Sequence, residues 1–204
     1  MTTIYLLRHG QSEGNKEHII QGQSDFALTA AGKKQAELAA SSLQDVHFDA
    51  VYSSDLTRAF ATGQAVSEKK NMPLEASPLL REVFLGPLEG RTRKELIEMY
   101  PELEHKSIVT SGIPGTENFD DLTERCQTLV NSWLEKHSGA TIAALSHGGF
   151  ISILLMYMIA GDMWHQLNRP FLIHNTGITK VFIDEMGQAK FHYVNNTAHL
   201  DHES

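Results

Sequence analysis

The sequence predicts an α/β fold, a three-layer α/β/α sandwich with a mostly parallel central sheet and a lid segment over the crevice at the carboxyl ends of the strands. Two observations support this prediction. Short apolar runs, which are typical of buried strands, alternate with longer stretches of helical periodicity. Two of these runs, at 4–7 and 141–145, each lead into a turn that contains histidine and glycine. We expect residues 1–204 to form a single domain, with a lid at about 71–116.

Periodicity and capping signals define the individual elements. Apolar runs predict strands at 4–7, 49–54, 141–145, 178–184 and 189–194. Helical periodicity predicts helices at 30–43, 56–70, 92–100, 117–137 and 150–159. Thr29 is the expected N-cap of the first helix and Asp55 that of the second, because either side chain can accept a hydrogen bond from a backbone N–H of the first turn.

The segment 71–116 differs from the rest of the chain because prolines and glycines interrupt its periodicity. Its prolines are Pro73, Pro78, Pro87, Pro101 and Pro114. Only 92–100 within it is expected to be helical, since Pro101 has no backbone N–H with which to continue the helix. An irregular segment between two regular parts of the chain predicts a lid over a site.

Composition and charge exclude several function classes. With 17 basic and 25 acidic residues the formal net charge is -8 at pH 7, so we expect no nucleic-acid partner. Cys126 is the only cysteine, so no intrachain disulfide can form and we expect the reducing cytoplasm. The apolar run near the start is too short to span a membrane, and we expect no membrane partner. An anionic ligand would need a local cluster of positive side chains.

Two histidine turns, Arg8-His9-Gly10 and Ser146-His147-Gly148, are the main functional signal. In an open α/β sheet, ligands bind beyond the carboxyl ends of the strands, so both histidines are expected to converge on one crevice. An imidazole can attack phosphorus when its second ring nitrogen is held as a donor. Gly10 would allow a backbone carbonyl to approach His9 and hold that nitrogen.

Arginine is the expected partner of a phosphoryl group, because a guanidinium group grips its oxygens with paired hydrogen bonds. Arg8 directly precedes the first histidine. Arg58 lies one turn into the predicted helix 56–70, so its side chain can point back toward the same sheet edge. An isolated arginine is more often part of a surface ion pair. Because these two arginines occur together with two histidine turns, phosphate binding is the favoured interpretation.

Ordered motifs run through nearly the whole chain. They are Leu7-Arg8-His9-Gly10-Gln11-Ser12-Glu13-Gly14-Asn15, then Gln21-Gly22, Leu28-Thr29-Ala30-Ala31-Gly32 and Arg81-Glu82-Val83-Phe84-Leu85-Gly86-Pro87-Leu88-Glu89-Gly90. Together they resemble the histidine phosphatase superfamily, which includes cofactor-dependent phosphoglycerate mutases and broad-specificity phosphatases.

The resemblance implies a role for each matching residue. His9 would accept the phosphoryl group, and Glu82 would protonate the leaving oxygen and later activate water. Arg8, Arg58 and His147 would complete the catalytic set. The implied phosphate-binding residues are Arg8, Asn15, Gln21, Gly22, Arg58 and His147. The segment 115–117 resembles a turn of the family before the long helix, and we expect it to cap that helix.

Three functions are compatible with these residues. The favoured one is a phosphatase that hydrolyses small-molecule phosphomonoesters. A cofactor-dependent phosphoglycerate mutase would use the same catalytic residues. However, the family's mutases carry a longer insertion with paired arginines after the proton donor, and the short stretch between Glu82 and Gly115 holds no such pair. A non-catalytic phosphate-binding protein is less favoured, because the catalytic set is complete.

Metal and other cofactors are not expected. His192, His199 and His202 could suggest a metal cluster, but their spacing matches no ligand pattern, and no cysteine or carboxylate cluster supports one. Sugar phosphates, phosphoglycerates, nucleotides, cobalamin-precursor phosphates and phosphorylated proteins all remain open as substrates, and the oligomeric state stays open as well.

Overall fold

A computed structural model of the chain describes residues 1–168 and 170–201. Its strands are β1 (Thr2–Arg8), β2 (Ile19–Ile20), β3 (Ala50–Ser53), β4 (Leu74–Ala76), β5 (Arg91–Thr92), β6 (Thr141–Ser146), β7 (Ile178–Ile183) and β8 (Ala189–Asn196). Its α-helices are α1 (Glu13–Lys16), α2 (Ala30–Ser42), α3 (Thr57–Lys70), α4 (Arg93–Met99), α5 (Phe119–Lys136) and α6 (Gly148–Ala160). None of these described helices is both long and apolar enough to cross a membrane. His202 lies outside the described residues.

The central sheet has six strands in the order β4-β3-β6-β1-β7-β8. The pairs β1 with β6, β6 with β3 and β3 with β4 are parallel, whereas β7 is antiparallel to β1 and to β8. The predicted α/β fold with a mostly parallel sheet is confirmed. The strands β2, β4 and β5 were not predicted, because each has only two or three residues and so shows no periodicity.

Alternate residues of β1 face two separate apolar layers, as the pleat of a strand requires. On one face, Ile4 and Leu6 pack with side chains of α5 and α6. On the other face, Tyr5 and Leu7 pack with side chains of α2 and α3. Cys126 of α5 is buried in the first layer, and this burial raises the pKa of its thiol to about 12. The cysteine is therefore a packing residue.

The register of β1 against β6 brings the two histidine turns to the same edge of the sheet. Six residues of each strand pair in parallel, and the last pair is Arg8 with Ser146. The N–H of His9 then donates to the carbonyl of Ser146 at 3.0 Å. Because His147 follows Ser146 directly, both histidines leave the sheet at one level.

The predicted lid segment, 71–116, packs on the main body of the protein. It supplies β4, an edge strand of the central sheet. Its α-helix ends at Met99, before Pro101 as expected. Several of its apolar side chains are buried in the layer that α5 and α6 cover: Leu80, Val83, Leu85, Leu88, Leu96, Leu103, Ile108 and Ile113. These side chains tie the segment to the sheet edge where the histidines lie.

Two of the predicted helix caps are wrong. Thr29 caps α2 as expected, but the Asp55 side chain does not cap α3. Instead it forms an ion pair with Arg81 at 2.5 Å, and Leu56 occupies the N-cap position because the helix begins at Thr57. The segment 115–117 does not cap α5 either, because Asn118 directly precedes that helix and accepts two of its first N–H groups.

Gly32 allows the start of α2 to lie against the turn after β1. A Cβ atom at this position would lie 2.0 Å from the carbonyl oxygen of Gln11. We therefore expect Gly32→Ala to lower the free energy of unfolding by about 1–3 kcal/mol, the usual range for overpacking. Urea denaturation measures this. The exposed neighbour offers a control, since Ala31→Ser should stay within about 0.5 kcal/mol of wild type. An unchanged Gly32→Ala midpoint would contradict the close approach.

Candidate active site

His9 lies directly beyond the end of β1, and only 2% of its surface is exposed. Its Nδ1 is 2.7 Å from the carbonyl oxygen of Gly10, the type of contact expected from the sequence. A proton on Nδ1 donates to this carbonyl, so Nε2 keeps its lone pair. A different contact requires the glycine, since a Cβ at Gly10 would lie 2.3 Å from the Gly32 oxygen.

His147 is fully buried beyond the end of β6. Its ring centroid is 5.1 Å from that of His9, which confirms the predicted convergence. The Nε2 atom of His147 is 2.9 Å from the Ser54 hydroxyl, and this hydroxyl accepts a hydrogen bond from the Leu56 N–H at 3.3 Å. The hydroxyl proton can then be donated to Nε2, and in that tautomer the ring proton of His147 lies on Nδ1.

Arg58, which is buried, and Arg8, which is partly buried, are the cations of the site. Arg8 donates from Nη1 to the carbonyl of Ile173 at 2.7 Å. Arg58 is 1% exposed, and it donates from Nη1 and Nη2 to the carbonyls of Ser24 and Gly22 at 2.9 and 2.7 Å. These acceptors orient both guanidinium groups without neutralising them, because a backbone carbonyl has no net charge. The positive charge remains available for an anion.

Three buried nitrogen atoms of this cluster have no hydrogen-bond partner in the part of the chain that the structure describes. They are Arg8 Nε, Arg58 Nε and His147 Nδ1. A buried donor without a partner costs about 1–3 kcal/mol, so native proteins keep few of them. Two of the three donors here belong to cations. An anion with several acceptor oxygens fits this set.

Burial lowers the pKa of His9 and of His147 well below the ordinary value of 6.5, and the positive charges of Arg8 and Arg58 lower both further. For His9, the hydrogen bond with Gly10 opposes this effect in part. Burial also lowers the pKa of both guanidinium groups, although arginine stays protonated in proteins. The site therefore holds two neutral imidazoles beside two cations.

Glu82 comes from the predicted lid, and its carboxylate lies at the N-terminus of α6. Its Oε1 accepts from the Phe150 N–H at 2.7 Å and from the Val83 N–H at 3.0 Å, and its Oε2 accepts from the Gly149 N–H at 3.0 Å. Free N–H groups at a helix start form a natural site for a carboxylate. Because α6 begins directly after His147, the backbone holds the carboxylate and that imidazole close together.

Asn15 is oriented by a neighbour that the sequence analysis missed. Its Oδ1 accepts hydrogen bonds from the Ser12 N–H at 3.1 Å, from the Ser12 hydroxyl at 3.0 Å and from Nδ2 of Asn175 at 3.2 Å. The Asn15 Nδ2 is then the group turned away from these donors, as a phosphate-binding role requires. Asn175 also donates to the carbonyl of His9 at 3.0 Å. No motif marks it, because it comes from the loop before β7.

Gln21 and Gly22 lie beside the cluster and bond to other parts of the protein. The Gln21 Oε1 accepts from the Ser12 hydroxyl at 2.7 Å, and the Gly22 carbonyl accepts from Arg58. The sequence analysis missed Glu89, whose carboxylate accepts from the N–H groups of the two residues that follow Gly22. Glu89 thus holds the loop that orients Arg58. Direct contact of Gln21 or Gly22 with a phosphate stays a prediction.

Among the described residues, no group of three or more His, Cys, Asp or Glu side chains could hold a metal ion. His199 instead lies 3.0 Å from the Thr176 hydroxyl, and the ring of His192 contacts the ring of Tyr193. The site itself combines a nucleophilic nitrogen, positive donors and a carboxylate. Such a set can transfer a group that carries anionic oxygens.

Known proteins resemble this chain over nearly its whole length. The family model described as "Histidine phosphatase superfamily (branch 1)" matches residues 4–197. A protein of Escherichia fergusonii named "Probable phosphoglycerate mutase GpmB" is 31% identical over 210 residues, which cover 98% of this chain and 96% of the relative.

Two solved structures share the fold. A phosphoserine phosphatase mutant from Entamoeba histolytica, in complex with phosphoserine, has a TM-score of 0.79 and 27% sequence identity, and the match covers 98% of this chain and 100% of that one. The alpha-ribazole phosphatase from Shigella flexneri has a TM-score of 0.81 and 26% identity, and the match covers 96% of each chain.

The lowered pKa of His9 and His147 gives the protein a pH-dependent stability. In the unfolded chain each ring takes up a proton near pH 6.5, whereas the folded site keeps it neutral to a much lower pH. Below pH 6.5 the unfolded state therefore binds more protons, and the free energy of unfolding should fall as the pH falls; above it this contribution is constant. Urea denaturation over a pH series measures the slope.

Two variants test whether the buried histidines cause this dependence of the free energy of unfolding on pH. His9→Asn should make it shallower, because one of the two depressed pKa values is removed. His47→Asn should leave it unchanged, since the His47 side chain is 90% exposed. The same slope in His9→Asn and wild type would contradict the assignment.

Proposed function

Because the chain belongs to the histidine phosphatase superfamily (branch 1), we propose that it is a phosphatase that hydrolyses small phosphomonoesters without a metal ion. His9 takes the phosphoryl group from the substrate and passes it to water. The observation that carries this proposal is the set of three unpaired buried donors around His9. They fit a phosphoryl group, whose charge is spread over three equatorial oxygens during transfer.

The first half of the reaction uses the free nitrogen of His9. Its Nε2 attacks phosphorus, a P–N bond forms, and the bond from phosphorus to the leaving oxygen breaks. The Nδ1 proton keeps its hydrogen bond to the Gly10 carbonyl at 2.7 Å, and this bond stabilises the positive charge that the ring acquires. The lowered pKa of His9 supports this step, because only the neutral ring has a lone pair to offer.

Three side chains neutralise the charge on the transferring group. Arg8, Arg58 and His147 each have an unpaired nitrogen in a buried cluster that is shielded from water, where such interactions are strongest. Their orientation is fixed before the substrate binds, since backbone carbonyls hold both arginines and the Ser54 hydroxyl holds His147. No reorganisation is then needed during the reaction.

Glu82 serves both halves of the reaction. As a carboxylic acid it protonates the leaving oxygen, because an alkoxide leaves poorly without a proton. The resulting carboxylate then removes a proton from water, the water oxygen attacks phosphorus, and the P–N bond to His9 breaks. The Glu82 carboxylate is bound by the N–H groups of the first turn of α6, and this helix begins directly after His147. This position supports the role.

The contact of Arg93 favours a phosphatase over a mutase. A mutase needs basic residues that bind the carboxylate of phosphoglycerate. Arg91 and Arg93 follow Glu82, but Arg93 donates to the Leu103 carbonyl at 3.0 Å and Arg91 lies 3.5 Å from the Pro87 carbonyl. Arg93 is therefore held within its own segment, whereas the Arg91 contact is too long to hold that side chain. The phosphatase names of the two solved neighbours give further support.

A phosphoglycerate mutase remains the second candidate. It is favoured by the name of the Escherichia fergusonii relative, which matches this chain over almost its full length. A mutase would share the phosphohistidine on His9 but would return the phosphoryl group to a phosphoglycerate. The two candidates therefore differ only in the final acceptor, water or an alcohol.

We also propose that residues 1–204 act as one domain in a reducing cytoplasm. The segment 71–116 supports a single domain, since its buried side chains share the core of the sheet. The lone Cys126 supports a reducing compartment, because the chain offers it no disulfide partner. The net charge of -8 makes a small anionic substrate, captured by a local positive cluster, more suitable than a nucleic acid.

We expect the protein to release inorganic phosphate from a panel of phosphomonoesters in the presence of EDTA, and His9→Ala to release none above background. Vanadate should inhibit wild type, since it mimics the trigonal-bipyramidal arrangement at phosphorus. His9→Ala should be inactive because His9 alone supplies the nucleophile. His47→Ala, which changes an exposed histidine, should retain full activity.

Two other outcomes would change the assignment. Loss of activity with EDTA, restored by a metal ion, would contradict the metal-free mechanism. Isomerisation of 3-phosphoglycerate in the presence of 2,3-bisphosphoglycerate, without phosphate release, would replace the phosphatase by the mutase.

The role of Glu82 as acid predicts a dependence on the leaving group. Glu82→Gln should lower kcat/KM, which reports only the phosphorylation of His9, by about 10²–10⁴-fold on an alkyl phosphate, the usual contribution of a general acid. The loss should be smaller on p-nitrophenyl phosphate, whose leaving group barely needs a proton. Steady-state kinetics on both substrates tests this, with the exposed Glu98→Gln as control. Equal losses on both substrates would argue against Glu82 as the acid.

A further inference from the structure

We propose that Glu117 and Arg125 form a positioning pair that sets the place of the Glu82 carboxylate. Glu117 directly precedes the N-cap of α5, and Arg125 lies in the second turn of that helix. Neither residue belongs to the cluster around His9. This inference rests on the proposed role of Glu82 as the general acid and base, and it adds the residues through which that role is maintained.

The positioning pair is a buried, two-point ion pair. Arg125 Nε lies 3.0 Å from Glu117 Oε1, and Arg125 Nη2 donates to Glu117 Oε2 at 3.1 Å. The two side chains are only 10% and 13% exposed. Burial raises the pKa of Glu117 and lowers that of Arg125, and in each case the charge of the partner opposes the shift.

The pair holds the backbone on both sides of Glu82. On one side, Arg125 donates from Nη1 to the carbonyl of Arg81 at 2.9 Å. On the other side, Glu117 Oε2 accepts from the Phe84 N–H at 2.9 Å, and the Glu117 N–H donates to the Phe84 carbonyl at 2.8 Å. The residue before Glu82 and the second residue after it are therefore both attached to this pair.

The same pair also touches the helix start that receives the carboxylate. The guanidinium carbon of Arg125 lies 4.0 Å from the ring centroid of Phe150, in cation-π contact. The N–H of Phe150 donates to Glu82 Oε1 at 2.7 Å. Arg125 thus fixes both the segment that carries Glu82 and the residue that binds it, so it determines their relative position.

Stability alone does not account for a buried ion pair at this place. The removal of two charges from water offsets much of their attraction, and apolar residues of similar size often stabilise a protein as well or better. What apolar residues cannot supply are the hydrogen bonds to the Arg81 carbonyl and the Phe84 N–H. The pair therefore contributes these two hydrogen bonds, and both hold the segment that carries Glu82 in place.

The test uses the leaving-group dependence that marks loss of the acid. We expect Arg125→Met and Glu117→Met to lower kcat/KM on an alkyl phosphate by about 10- to 100-fold, the effect of a small misplacement of a catalytic group. On p-nitrophenyl phosphate the loss should be severalfold smaller. A role in folding alone would reduce both activities equally, and this outcome would overturn the proposal.

A double-mutant cycle shows whether the pair acts through Glu82. In a Glu82→Gln background, Arg125→Met should cause little further loss on the alkyl phosphate, because the group that it positions is already gone. Full additivity of the two losses would overturn the proposal. Glu124→Gln is the matched control, since it removes an exposed carboxylate from the same helix, and it should leave both activities unchanged.

Hydrogen exchange gives a readout that does not depend on turnover. The amides of Gly149 and Phe150 are bonded to the Glu82 carboxylate, so they should exchange faster in Arg125→Met while the amides of the central sheet keep their protection. Unchanged exchange at both positions would overturn the positioning role.

The two kinds of failure can be told apart. If wild type shows no hydrolysis that depends on His9, the proposed function fails, and the exchange experiment still decides whether the pair positions Glu82. If hydrolysis depends on His9 and Glu82 but the Arg125→Met losses do not depend on the leaving group, only the positioning role fails.

Discussion

Six residues of β1 pair in parallel with six of β6, and the two strands end side by side. The rest of the site depends on this register, because it decides that His9 and His147 emerge at one edge. A slip of one residue would turn one imidazole to the opposite face of the sheet. Next to β6, β3 leads into α3 and so delivers Arg58 to the same place. Three neighbouring strand ends thus assemble the proposed nucleophile and its phosphate ligands.

The cluster at this edge opposes folding in the absence of a ligand. Two guanidinium groups are desolvated there, and neutral carbonyls rather than carboxylates accept their hydrogen bonds. Both imidazoles stay unprotonated beside them, since burial lowers their pKa and the arginine charges lower it further. When an anion enters, its attraction to these groups offsets their mutual repulsion and the cost of their burial. Stability is therefore given up in the free protein for affinity toward a phosphoryl group, a common relation between active sites and the fold.

Local patterns predicted the parts of the site that lie at element ends. The apolar runs and the turns after them were sufficient to predict that His9 and His147 lie at one edge of the sheet. The helix after β3 was sufficient to predict that Arg58 lies near them. Asn175 and the Glu117–Arg125 pair were not predicted, because each acts through contacts between segments far apart in the chain. Asp55 was wrongly predicted as a cap, since the sequence does not show that the distant Arg81 lies beside it. Sequence periodicity thus reports burial and element type, whereas loop contacts require the folded chain.

The place of the Glu82 carboxylate on the first turn of α6 has a consequence for evolution. Its oxygens are held by the main-chain N–H groups of Gly149 and Phe150, and a Cβ atom at Gly149 would lie 2.6 Å from Glu82 Oε1. Any residue larger than glycine at position 149 would therefore displace the acid, so this position is closed to gradual change.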